Sequence, residues 1–220
     1  MHLQRALHKV IDAWGRHPWS PQQDAAWGLV ATILSQNTNW QNTRRALSSL
    51  QQRCRTAADL LSLSIEELER LIRPAGLWRI KAKRIRAALQ VLIPRFGPRL
   101  ERLHEVPPTV ARQILLEAPG VGPKTADVLL AFYAGAPIIP IDTHIARITR
   151  RLGLAAPSAS YEQIRSALEK LIPPKHRLRA HIALIRFGRE VCRSRNPRCA
   201  KCPLRSFCKY ARSRKGSLNH

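Results

Sequence analysis

Four of the five cysteines fall within seventeen residues, as Cys192-x6-Cys199-x2-Cys202-x5-Cys208. A chain carrying that run must fold its C-terminal segment around something small. The intervening stretches are too short to build a domain and long enough to wrap a compact metal centre. Structural zinc favours two separated Cys-x2-Cys knuckles or a Cys/His mixture around one tetrahedral ion. Here a single Cys-x2-Cys carries one longer and one medium arm, a pattern that suits an iron–sulfur cube held by four thiolates. Zinc remains open at this level. So do two disulfides, although loops this short would strain them and nothing marks the chain as secreted. Cys54 stands apart and reads as a small buried or half-exposed residue.

Charge narrows the partners. There are 38 Lys and Arg against 14 Asp and Glu, for a net charge of +24. Such self-repulsion adds nothing to folding stability and draws polyanions, with nucleic acid ahead of an anionic membrane surface. The basic residues are clustered. Residues 70–102 hold ten Lys or Arg and one acid, Glu101; residues 189–215 hold another ten and one acid, Glu190. Any one of these could be a solvated helix face, but blocks this lopsided fit phosphate neutralisation, with strongly salt-dependent binding. No apolar run reaches the length of a membrane-spanning helix. The N-terminus reads as an amphipathic helix with Leu3, Leu7, Val10, Ile11 and Trp14 on one face, not as a signal peptide.

The apolar periodicity is helical almost throughout, broken by prolines, and predicts an all-α protein. Helices are expected near 1–14, 22–36, 40–51, 57–62, 65–73, 79–95, 109–117, 124–133, 143–152, 161–171 and 177–190. Capping signals stand at Ser64 with Glu67, Ser160 with Gln163, and Thr56 with Asp59. Breakers include Pro18, Pro21, Pro74, Pro94, Pro98, Pro107, Pro119, Pro140 and Pro173. Ile138–Ile141 reads as a short extended piece, and the last ten or so residues as a frayed basic end.

Two places carry chemistry. In Pro119-Gly120-Val121-Gly122-Pro123-Lys124, a turn with two glycines joins two helices. Such glycines permit positive φ and close backbone approach, and successive amides at a helix N-terminus form an anion nest. Lys124 falls in the first turn of the second helix, where the dipole opposes a cation. If desolvated as well, it becomes a candidate amine nucleophile; otherwise it is a phosphate-binding or exposed lysine. In Ile141-Asp142-Thr143-His144, Asp142 opens another helix. It reads as an N-cap, and also as a fixed carboxylate that could serve Lys124. His144 reads as a packed structural histidine.

Taken with Leu34-Ser35-Gln36-Asn37-Thr38 and Gly76-Leu77-Trp78, these pieces resemble the endonuclease III family of helix-hairpin-helix DNA glycosylases. They stand in the family's order across roughly residues 25–210. The resemblance implies a six-helix barrel over 19–136, with the helix-hairpin-helix near 109–133. A second helical domain, from 1–18 and 137–220, would hold a [4Fe–4S] cluster on Cys192, Cys199, Cys202 and Cys208. DNA would enter a cleft with Lys124 and Asp142 on its walls. A damaged base inside a duplex is out of reach and must be flipped out, at a cost of a few kcal/mol. The resemblance makes Gln36 the residue that fills the vacated stack and Leu77 an apolar wedge in the opposite strand.

It further implies that Lys124 attacks C1′ and forms a Schiff base while Asp142 stabilises the cationic sugar, giving a bifunctional glycosylase and lyase for oxidised pyrimidines. Gly120, Val121 and Gly122 would bind the DNA backbone. Arg193, Arg195, Arg198 and Lys201, around the first three cysteines, would grip phosphate. The expected partner is double-stranded DNA with damaged bases or abasic sites, bound by a monomer of a bacterial or archaeal cytoplasm, at the nucleoid. A mismatch or alkylated-base glycosylase on the same scaffold is a second reading, and a non-catalytic damaged-DNA-binding module a third. The chain departs from the family at Asn39 (often Asp), Ala118 (often Leu) and Pro123 (often basic).

Overall fold

The computed structural model describes residues 2–16 and 24–215. The protein is all-α, and no β-strand occurs among the described residues. The chain divides into two compact units, Ser20–Ala136 and Met1–Trp19 with Pro137–His220.

The described residues of Ser20–Ala136 form six α-helices: α2 (Ala25–Leu34), α3 (Trp40–Arg53), α4 (Ile65–Ile72), α5 (Trp78–Phe96), α6 (Pro108–Glu117) and α7 (Pro123–Tyr133). Helix α2 is apolar nearly all round and is buried accordingly, packing on α3, α5 and α7. Asp24 caps it by accepting from the Trp27 amide at 3.0 Å. At Gly28 the Tyr133 ring lies where a Cβ would be. Burial there, with Asp24 adding to it, pushes the Tyr133 phenol up to about 12. Gly28→Ala should therefore lower the melting temperature by roughly 3–10 °C, since a strained tyrosine outweighs the better helix propensity of alanine. An unchanged thermal melt would show that the ring can swing aside freely.

Three expectations for this unit need correction. The segment near 57–62 is a short 3-10 turn, Ala58–Leu61, instead of an α-helix. Thr56 and Asp59 do cap each other's amides, at 2.8 and 3.3 Å, but around that tighter turn. Helix α2 stops at Leu34, short of 36, because Gln36 bonds back to Ile33 and Asn37 turns left-handed at φ 53. Pro94 does not break α5. It sits inside the last turn, and the helix ends beyond it at Gly97, φ 88.

The other unit contains α1 (His2–Trp14), α8 (Thr143–Leu152), α9 (Tyr161–Glu169), α10 (Arg177–Glu190) and α11 (Lys209–Lys215). Helix α1 buries Ala6, Leu7, Val10 and Ile11, with Leu3 and Trp14 partly covered, as its periodicity predicts. It packs chiefly on α10: Trp14 meets Phe187 edge to face at 5.2 Å and donates to Glu190 at 2.7 Å. The two ends of the chain thus share one core. Ser160 and Gln163 complete a reciprocal capping box on α9. The basic end is helical as far as Lys215, where fraying was expected; Tyr210 lies under Arg151 and Ala211 is buried. Pro18, Pro21 and residues 216–220 lie outside the described residues. None of the described helices is long and apolar enough to cross a membrane.

Candidate functional site

The hairpin between α6 and α7 is built by one left-handed residue. Gly120 takes φ +82, letting the Val121 amide reach back to Ala118 at 3.1 Å, and Val121 is buried. Gly122 has an ordinary φ of −93 and serves as the N-cap, so only the first glycine needs its conformational freedom. Pro123 then occupies the first helical position, where its fixed φ is favourable. No side chain caps α7, so its first turn keeps the character of an anion site, with Lys124, half-buried, in that turn. The two hairpin helices are pinned together by Arg112 and the fully buried Asp127, 2.6 Å apart.

Gln36 and the hairpin are brought together by a residue that sequence reasoning missed. Arg84 of α5 packs under Gly120, where an added Cβ would sit 2.9 Å from its side-chain carbons. Its Nη1 lies 3.4 Å from Gln36 Oε1, and Gln36 Nε2 lies 3.4 Å from the Gly120 carbonyl. Leu77 is no core leucine. Its side chain is 51% exposed, and it sits at φ 49 directly after Gly76 at φ 67. An exposed apolar side chain on a left-handed, non-glycine backbone is costly twice over, the kind of strain that gathers at functional positions. Asn39 caps α3 by accepting from the Asn42 amide at 2.9 Å, a role Asn fills as well as Asp.

In the other unit, Asp142 caps α8, accepting from the Ile145 amide at 2.8 Å. The approach to it is held by side chains from distant elements. Ile139 donates to Glu169 at 3.0 Å, the Pro140 carbonyl meets His181 Nδ1 at 2.7 Å, and Ile141 donates to the Tyr161 hydroxyl at 3.1 Å. This is the expected short extended piece, ordered without a sheet partner. None of the three side chains carries a spacing signal. His144 is a packed residue, as expected: it lies over Gly188 and its Nδ1 is 3.0 Å from Arg147. Burial pushes its imidazole below the usual range, Arg147 and Arg189 add to this, and Asp142 opposes it. Lys124 and Asp142 belong to different units.

Cys192, Cys199, Cys202 and Cys208 all line one small cavity, and none of them is joined in a disulfide. Among the described residues, no three His, Cys, Asp or Glu side chains close on a single metal ion. Burial pushes the Cys202 thiol up to about 11 and raises Cys208 as well. Arg151, also unanticipated, fastens this loop to α8. It donates to the Arg193 and Ser194 carbonyls at 2.6 and 3.0 Å, lies 3.5 Å from Cys192 Sγ, and stacks over Tyr210 at 4.4 Å. Arg193, Arg195, Arg198 and Lys201 are exposed, and Arg198 also lines the cysteine cavity. Cys54 is buried at the C-cap of α3.

An all-α fold with a glycine hairpin leading into a lysine-bearing helix, and a four-cysteine loop on a second unit, defines a class of DNA repair protein. Residues 30–174, more than half of the chain, match the HhH-GPD superfamily of base excision DNA repair proteins, and the chain belongs to that family. Within it, the chain is 35% identical to endonuclease III of Thermotoga maritima, over 87% of this chain and 86% of that one. It is 34% identical to endonuclease III of Bacillus subtilis, over 84% and 81% respectively. Its fold superposes on a solved endonuclease III–DNA covalent intermediate with a TM-score of 0.83, at 30% identity and 97% coverage of both chains.

Proposed function

We propose that this protein is a DNA glycosylase and abasic-site lyase that excises oxidised pyrimidines, with Lys124 as the nucleophile. The observation that carries the reading is the position of Lys124 in the uncapped first turn of α7, directly after the Gly120–Gly122 turn. Kinship to endonuclease III, including a relative trapped covalently on DNA, supports it.

Backbone amides of the hairpin hold a phosphate beside the lesion while Gln36 and Leu77 enter the stack. The neutral Lys124 amine attacks C1′. The glycosidic bond breaks, and the base leaves with its electron pair and takes up a proton. Asp142, fixed by its capping bond, stabilises cationic character at the sugar. Opening of the ring gives a Schiff base, which acidifies C2′–H. Loss of that proton expels the 3′ phosphate and cuts the strand, and water then hydrolyses the imine to free Lys124.

The four cysteines fit a [4Fe–4S] cluster. They line one cavity together, and four thiolates converging there are the ligand set such a cluster takes. Thiols raised by burial would bind as thiolates, releasing protons as metal enters. When bound, the cluster supplies a rigid four-point anchor for the loop. Arg193, Arg195, Arg198 and Lys201 then present a fixed basic edge to backbone phosphate.

Replacing Arg195 and Arg198 together with Ala should weaken binding to every duplex alike. It should also flatten the plot of log affinity against log salt by about one to two units. Unchanged affinity and slope would leave the loop without a DNA contact. The function itself is tested on duplexes bearing thymine glycol, dihydrouracil, an abasic site, uracil or a G·T mismatch. Cleavage of the first three is expected. Excision confined to uracil or the mismatch would favour the second glycosylase reading, and inert protein that still binds would favour a recognition module.

A further inference from the structure

One of the largest fully buried side chains among the described residues is a cation. Lys81, in the first turn of α5, is 1% exposed. Among the described residues no carboxylate pairs with it, and burial alone pushes its amine below the usual range. Filling that space would need only a Met or Leu, and an unpaired buried ammonium is expensive. Its partners explain its presence. Nζ donates to the Leu34 carbonyl and to the Ala75 carbonyl, each at 2.8 Å.

Those two carbonyls come from places with one thing in common. Leu34 ends α2, two residues before Gln36, and Ala75 ends the 3-10 turn Arg73–Ala75, two residues before Leu77. Both turns then run left-handed, at Asn37 on one side and at Gly76 and Leu77 on the other. Lys81 also grips the second turn through its own backbone, its amide donating to the Leu77 carbonyl at 2.9 Å. An ammonium has three donors and no acceptor, so it can tie two orphan helix-end carbonyls at one point, which no apolar side chain can do.

We propose that Lys81 is a positioning residue for base flipping, setting the separation between the two turns that carry Gln36 and Leu77. Two side chains entering one duplex must match the gap they fill. Gln36 and Leu77 are 41 residues apart in the chain, by their residue numbers. Lys81 joins the two turns directly, and without it the strained Leu77 turn loses both its side-chain and its spacing restraint.

This rests on the proposed roles of Gln36 and Leu77, and the experiment separates the two. Binding to a duplex with 2-aminopurine beside the lesion reports unstacking without requiring any cleavage. Lys81→Met should cut the 2-aminopurine signal and single-turnover excision from duplex by about tenfold. Borohydride trapping on a single-stranded abasic oligonucleotide, which needs no wedge, should stay within about twofold of wild type. In a Leu77→Ala background, Lys81→Met should add little, because both act on one step. If Lys81→Met melts below the assay temperature, Lys81→Arg carries the same cycle: it keeps donors but misplaces them, so its flipping defect should also vanish in the Leu77→Ala background. Normal flipping in the variant, equal loss on single-stranded and duplex substrates, or additive effects with Leu77→Ala would each overturn the proposal. A wild type that unstacks 2-aminopurine but cleaves nothing would indict Lys124 and leave the test of Lys81 intact.

Discussion

Lys124→Ala should reduce strand cleavage at an abasic site by at least about a thousandfold, to the rate set by the DNA alone. The amine is the only group assigned to form the covalent bond, so no partial route through it remains. The substitution should not weaken the fold of α7. A cation in the first turn opposes the helix dipole, and alanine is the better helix former. Affinity for an abasic duplex should hold within a few-fold, because the hairpin amides and the clustered arginines carry phosphate binding. A gel assay of cleavage beside a binding titration checks both halves. Cleavage that survived Lys124→Ala would assign the chemistry to another amine or to water.

Asp142→Asn should lower single-turnover base excision by about a hundredfold or more while leaving the melting temperature nearly unchanged. The structure makes that separation possible. Asp142 caps α8 through one oxygen, on the Ile145 amide at 2.8 Å, and an Asn oxygen caps equally well. What Asn lacks is the charge, which is the part assigned to the cationic sugar. Asp142→Ala removes cap and charge together and should add about 1 kcal/mol of destabilisation to the same loss of rate. Thermal melts and excision rates on the three proteins resolve the two roles. An Asn variant as fast as wild type would reduce Asp142 to a cap.

Much of this was legible in the sequence because it rests on local rules. Helices announce themselves by apolar periodicity, so the all-α class could be read directly, and so could the buried face of α1. Caps are local too, which is why Asp142, Ser64 and Ser160 could be placed. Local rules also misled. Thr56 and Asp59 carry the same reciprocal cap around a 3-10 turn as around an α-helix, so the signal marks a start and not a type. The basic end looked frayed because what anchors it, Arg151 over Tyr210, comes from α8.

The supporting residues of the site were illegible for the same reason. Lys81, Arg84, Arg151, Tyr161, Glu169 and His181 all act on backbone or side-chain groups far away in sequence. Each looks like one more basic or polar residue until the chain folds. Lys81 is the sharpest case: within a run of ten Lys and Arg, it read as part of a phosphate-binding face, yet it is the one sealed in the core.

The proposed chemistry turns on a covalent bond between the Lys124 amine and the sugar. Wild-type protein should be mixed with a thymine glycol duplex under borohydride, and the adduct digested and mapped by mass spectrometry. A single cross-linked peptide is expected, with the reduced deoxyribose on Lys124. Base release with no adduct, or an adduct on any other residue, would contradict it.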